Sequence, residues 1–129
     1  MEFIYASEKP AEKELLDFYN QMGWNDFLGL DLVGMKRLIA GSYYMISAYS
    51  SGKLIGNARI ISDGVTNAYL CGLGVLEPYR KQGVAAQMIQ ALKEKINADG
   101  LHGQFFCEEP LKEYYEKRGA TQFAVGMKI

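Results

Sequence analysis

The chain has 129 residues, 49% of them hydrophobic and 22% charged, which is the size of one domain (1–129) with enough apolar side chains for a core that needs no disulfide or structural metal. Its 14 Lys and Arg against 15 Asp and Glu give a formal net charge of −1, which removes the electrostatic case for nucleic acid or an anionic membrane surface as main partner. Cys71 and Cys107 lie in apolar strand-like runs without metal-ligand spacing, so a reducing, cytoplasmic setting is expected; Met1–Tyr5 lacks a signal-peptide pattern, and no apolar run approaches membrane-spanning length.

In chain order, Met1–Ala6 is a short strand candidate. Pro10 opens a helix in which Leu15, Leu16, Tyr19 and Met22 form the buried stripe and Gly23 is the stop. Trp24–Phe27 reads as a loop, and Asp31 as the cap of a second helix with Met35, Leu38 and Ile39 on one face, closed by Gly41. Tyr43–Tyr49 and Leu54–Ile61 are strands joined by Ser50-Ser51-Gly52-Lys53, and Asp63-Gly64 turns into a third strand, Asn67–Val75. Ala85, Met88, Ile89, Leu92 and Ile96 repeat at helical spacing up to Asp99-Gly100. A short buried strand over Gln104–Cys107, a helix from Pro110 to Arg118 stopped by Gly119, and a weakly alternating strand over Gln122–Lys128 complete the pattern. The expected class is a mixed α/β (α+β) fold. Its central sheet is mostly antiparallel, helices cover both faces, and one parallel pair is made by the crossover between residues 67 and 107.

The most telling stretch is Val75-Leu-Glu-Pro-Tyr-Arg-Lys-Gln-Gly-Val-Ala85. A strand, a glycine-bearing turn and a helix N-terminus follow one another, which brings unpaired amides and the positive end of a helix dipole to one place, a site for a phosphorylated ligand. Gly83 lets a ligand approach the backbone, and Ala85 keeps the next close position small. A Walker A loop would need Gly-Lys-Ser/Thr, and a dinucleotide fingerprint a third glycine that Gly72-Leu73-Gly74 lacks.

Arg80-x-x-Gly83-x-Ala85 resembles the acyl-CoA signature of the GNAT (GCN5-related N-acetyltransferase) superfamily, and the order of elements is similar over nearly the whole chain. The resemblance implies a GNAT-type fold in which the parallel pair splays and the pantetheine arm of acetyl-CoA, the cosubstrate, lies in the gap. It implies pyrophosphate contacts from the amides of Lys81, Gln82, Gly83, Val84 and Ala85, with the Arg80 side chain close to phosphate or closing the loop. Main-chain groups of Leu73, Gly74 and Val75 would pair with the pantetheine arm, and an amide such as that of Leu73 would polarise the thioester carbonyl. Tyr114-Tyr115-Glu116-Lys117-Arg118-Gly119-Ala120 is similar to the family's Phe-Tyr-x-x-x-Gly-Phe element, departing from it at Ala120. The match places Tyr115 as the general acid. A phenol of pKa ~10 can protonate a thiolate whose acid titrates near ~8.5 without steep mismatch.

The base is less defined. The strand Asn67–Val75 contains no carboxylate, so Glu108 and Glu109, just past the fifth strand, are the candidates, either acting through water or holding a cationic substrate, with Asp26 behind them. His102, the only histidine, falls at the opposite end of its strand. Trp24, Phe27, Leu28 and Tyr43, with Arg59 as a further candidate, would line the acceptor pocket. The implied activity is direct acetyl transfer to a primary amine, a small molecule in preference to a protein lysine or N-terminus. A low-turnover acyl-CoA sensor is the alternative from another class. The resemblance also implies pairing of two copies through the last strand. No metal, nucleic acid or membrane partner is expected.

Overall fold

The computed structural model describes residues 2–129; Met1, the first residue of the expected first strand, lies outside them. Five strands form one sheet in chain order: β1 (Ile4–Ala6), β2 (Tyr44–Ser50), β3 (Lys53–Ser62), β4 (Asn67–Val75) and β5 (His102–Gln104). The first four are antiparallel neighbours, and β4 with β5 is the parallel pair. The helices are α1 (Glu12–Gln21), α2 (Asn25–Leu28), α3 (Leu32–Gly41), α4 (Val84–Ala98) and α5 (Lys112–Glu116).

The sheet is covered on both faces, as alternation along its strands requires. Gly74 backs onto Trp24 and Met22 at the end of α1, whereas Gly56 backs onto Met88 of α4. On the α1 side Leu15, Phe18, Tyr19 and Met35 are buried; on the α4 side Val84, Met88 and Leu92 are buried with Ala58 and Ile60. α1 begins two residues after Pro10. The Asp31 carboxylate caps α3 by accepting from the Gly34 amide at 2.8 Å, as the sequence predicts. Trp24–Phe27, read as loop, overlaps the short α2, which the left-handed Gly29 ends.

Three expectations near the C-terminus are corrected. The fifth strand ends at Gln104 rather than beginning there, and Cys107 is exposed. Gly103 lets β5 lie on α4, since a Cβ there would sit 3.0 Å from Ile96. The helix expected from Pro110 is a 3₁₀ turn at Glu109–Leu111 followed by the five-residue α5. Gln122–Lys128 is not a strand: Phe123, Val125, Met127 and Ile129 are exposed, so the alternating side chains have no surface to pack against.

Candidate active site

β4 carries the first element of the site. It pairs with β3 in one register from Ala68 to Cys71 and in another at Gly74 and Val75, so Gly72 and Leu73 lie opposite no single partner. This is a β-bulge, and Gly72 takes the left-handed conformation (φ 62°) that it requires. A bulge frees main-chain groups from the ladder and turns them outward.

β4 and β5 are in register only from Asn67–Tyr69 against His102–Gln104. Beyond Tyr69 they part, and the gap is a cleft of about 260 Å³. One wall is β4 from Tyr69 to Leu73, α4 contributes Ile89 and Leu92, and Phe105, Phe106 and Tyr115 close the far side. The chain leaves β4 through a 3₁₀ turn at Glu77–Tyr79 and reaches α4 over residues 80–83. Arg80 Nε donates to the Val75 carbonyl at 2.7 Å, so this side chain closes the loop onto the strand it follows. Lys81 (φ 63°) and Gly83 (φ 84°) are both left-handed. Among the described residues the amides of residues 81–86 have no acceptor in the chain, and a Cβ on Gly83 would meet nothing within 4 Å. Open donors at the N-terminus of a 15-residue helix make an anion cradle. It lies at the end of α4 nearest the bulge.

Tyr115 lies against the Phe105 ring (centroids 4.7 Å apart) with Tyr114 edge-on behind it. Burial pushes its phenol up, Tyr114 and Cys107 add to this, and the Arg118 guanidinium opposes it. The group is therefore a neutral hydroxyl facing the cleft at neutral pH. Arg118 stacks on Tyr114 at 3.5 Å and bonds its carbonyl, which fixes the turn after α5.

The remaining expected residues are distributed unevenly. Trp24 packs edge-on to Tyr19 (5.0 Å) and Phe18 (5.9 Å) and covers Gly74, so it is at the bulge. Phe27 is exposed on α2. Tyr43 does not join the site: its hydroxyl bonds Asp99 at the C-terminal end of α4, away from the cradle, and its ring contacts Gly64. Glu108 is exposed and does not line the cleft.

Tyr19 and Arg59 carry more than the sequence reading gave them. The Tyr19 hydroxyl and Arg59 Nε are both buried and without a hydrogen-bond partner among the described residues. Both point at the α1 face of Gly72, where a Cβ would lie 3.2 Å from the hydroxyl and 3.3 Å from Nε. Arg59 was a candidate for the acceptor pocket and Tyr19 only part of a buried helix stripe; a glycine in mid-strand near that arginine is the signal that could have pointed to this corner.

Open amides at a helix N-terminus, a splayed parallel pair and a bulged strand between them are features of a mixed α/β fold of the acetyltransferase class. The family model described as "Acetyltransferase (GNAT) family" matches residues 3–120, and the chain belongs to this family of acyltransferases, for which acetyl-CoA-dependent acetyl transfer is general. Among solved structures, a Staphylococcus aureus protein described as a probable acetyltransferase is 16% identical with a TM-score of 0.81, covering 99% of this chain and 98% of its own. Glucosamine-6-phosphate N-acetyltransferase from Arabidopsis thaliana is 13% identical with a TM-score of 0.82, covering 100% and 98%. An aminoglycoside acetyltransferase from an uncultured soil metagenomic sample is 19% identical with a TM-score of 0.74, covering 100% and 98%. At such identities the likeness is one of fold. No curated protein sequence matches the chain. Among the described residues no cluster of metal-ligating side chains occurs, and no helix is long and apolar enough to cross a membrane.

Proposed function

We propose that the chain moves the acetyl group of acetyl-CoA directly to a primary amine of a small molecule. The observation that carries this reading is the run of amides at residues 81–86, unpartnered among the described residues, at the start of the helix whose Ile89 and Leu92 line the cleft that also holds Tyr115. The cradle fits a pyrophosphate, with Lys81, Gln82, Gly83, Val84 and Ala85 as donors and Arg80 holding the loop shut. The cleft fits the pantetheine arm beside Leu73, Gly74 and Val75. The thioester supplies an activated acyl carbon. Around it the chain provides a bulge amide, that of Leu73, for the developing oxyanion, and the Tyr115 hydroxyl to protonate the departing thiolate. An alkylamine of pKa ~10.4 is neutral about once in 10³ molecules at pH 7. With no carboxylate on β4, deprotonation falls to water or to Glu108 from outside the cleft. Two of the similar folds bear names of amino-sugar acceptors, which is compatible with a small amine.

The test is the melting temperature with and without saturating acetyl-CoA, for the wild type and Gly83→Glu. A ligand at 100 times its Kd adds roughly 2.7 kcal/mol of stability, several degrees at this size. The variant places a carboxylate in the cradle and loses the shift. A cooperative melt that acetyl-CoA leaves unmoved in the wild type refutes the reading.

A further inference from the structure

The cleft between β4 and β5 is bounded from both faces of the sheet. Residues opposite one another in an antiparallel ladder share a face, and side chains alternate along each strand. Arg59 meets Tyr19 of α1 at Gly72, which puts Arg59 and its register partner Cys71 on the α1 face. Two residues away, Ile61 and its partner Tyr69 lie on that face too. Phe106 stands beside Tyr69, with ring centroids 5.6 Å apart. Ile89 and Leu92 bound the cleft from α4, on the other face. Farther along β4 the α1 face is covered, by Trp24 and Met22 over Gly74. At the cleft it is open: Tyr69 is 38% exposed, Ile61 42% and Phe106 69%. Gly126 backs onto the Phe106 ring and leaves it exposed. Apolar side chains left exposed at the mouth of a cleft mark a place for a ligand.

The chemistry of this mouth is one-sided. Tyr69, Phe105, Phe106 and Tyr115 line the cleft, and among the described residues no Asp, Glu, Lys, Arg or His does. A second charge on a ligand would lose its hydration there and gain no partner, and a set of hydroxyls would lose theirs. A single ammonium group sheds its proton more readily in such surroundings, because desolvation disfavours the charged form. The neutral amine is the form that attacks, so an apolar mouth eases the lack of a carboxylate on β4. The open amides belong to α4, so the cosubstrate takes the α4 side and the α1 side is left to the acceptor. We propose that Tyr69 and Phe106, with Ile61 at the rim, select the acceptor, and that it is a primary amine carried on an aromatic or branched apolar group with no second charge. This rests on the amine-acetylation reading and narrows it. Diamines, amino acids and amino sugars fall outside the class.

Calorimetric titration reads binding without turnover, with CoA in place of acetyl-CoA and again with neither. The probes are phenethylamine and 3-methylbutylamine against ethanolamine, cadaverine and glucosamine. In the wild type phenethylamine binds about tenfold or more tighter than each of the three polar amines. Tyr69→Ala and Phe106→Ala each reduce this preference to about threefold or less. Phe106 is largely exposed, so its removal leaves the core intact. Val65→Ser changes another exposed apolar side chain, one that does not line the cleft, and keeps the full preference. Phe106→Glu sets a carboxylate at the mouth and turns the preference toward cadaverine. The proposal is overturned by wild-type protein that binds no phenethylamine, binds the whole panel equally, or binds cadaverine or glucosamine tighter. A preference that survives both alanine variants overturns it as well. The acetyl-CoA melting shift is measured beside these titrations. Its absence from the wild type refutes the transferase reading and leaves the amine preference standing as a separate result.

Discussion

In the proposed reaction Tyr115, which lines the cleft, protonates the leaving thiolate, and its surroundings set how it behaves with pH. Burial raises its phenol above the usual value, with Tyr114 and Cys107 pushing the same way. A raised acid stays protonated through the range in which an amine acceptor loses its proton. Rates with an amine substrate therefore climb with pH, and no downturn from loss of the Tyr115 proton falls below about pH 10. Tyr115→Phe keeps the ring on Phe105 and removes only the hydroxyl. The expected result is a fall of about 10²-fold or more in kcat, with the acetyl-CoA-induced melting shift unchanged. Equal turnover in the variant would leave protonation to solvent. Tyr115 was legible because the segment from Tyr114 to Gly119 is a pattern in sequence. Arg59 was named with the acceptor pocket, whereas Tyr19 was read only as part of a buried helix stripe, because its meeting with Arg59 at Gly72 is a matter of packing.

At the scale of elements, β4 holds the site and small residues shape it. Gly74 has no room for a side chain: a Cβ would stand 2.5 Å from the Trp24 ring and 2.7 Å from Met22. Gly74→Ala therefore displaces Trp24 at a cost of about 1–3 kcal/mol, read as a lower melting temperature together with a changed Trp24 fluorescence. A stable variant with unchanged emission would show that the α1 side yields freely. At the other end of α4 the arrangement is structural. Asp99 at a helix C-terminus opposes the dipole, and it is held there by the Tyr43 hydroxyl and by Lys95 at 3.0 Å. Tyr43 first, then Lys95, lower the Asp99 pKa below its ordinary 3.8. A carboxylate depressed on folding stabilises the fold above its unfolded pKa, and the contribution is lost as pH falls through the folded one. Asp99→Asn is thus less stable than the wild type near neutrality, and the two melting curves converge as the pH is taken below about 4. A gap that persists at low pH would assign the difference to packing. Tyr43 was misread as an acceptor residue because its place in chain order, at the start of a central strand, does not reveal which helix end it meets.

Across the whole molecule, legibility followed the strength of periodic signals. β2 to β4 and α4 emerged within a residue or two, since alternation, turns and a helical stripe agreed along them. The C-terminal region did not, because short elements there depend on neighbours: β5 on the Gly103–Ile96 contact, and 122–128 on a strand edge it does not reach. That difference predicts where stability resides. The buried core runs from α1 through Leu101, and the family match stops at 120. Removing residues 121–129 takes away exposed side chains and one close approach, Gly126 to Phe106, so the melting temperature changes by no more than about 0.5 kcal/mol equivalent and the acetyl-CoA shift survives. The alternating Phe123, Val125, Met127 and Ile129 would behave otherwise if two copies paired through them as strands. Stability would then rise with protein concentration in the full chain and lose that dependence on truncation, because association is linked to folding by mass action. Melting both forms across a hundredfold range of concentration (on the order of 10²) separates a tail that contributes nothing from one that joins subunits.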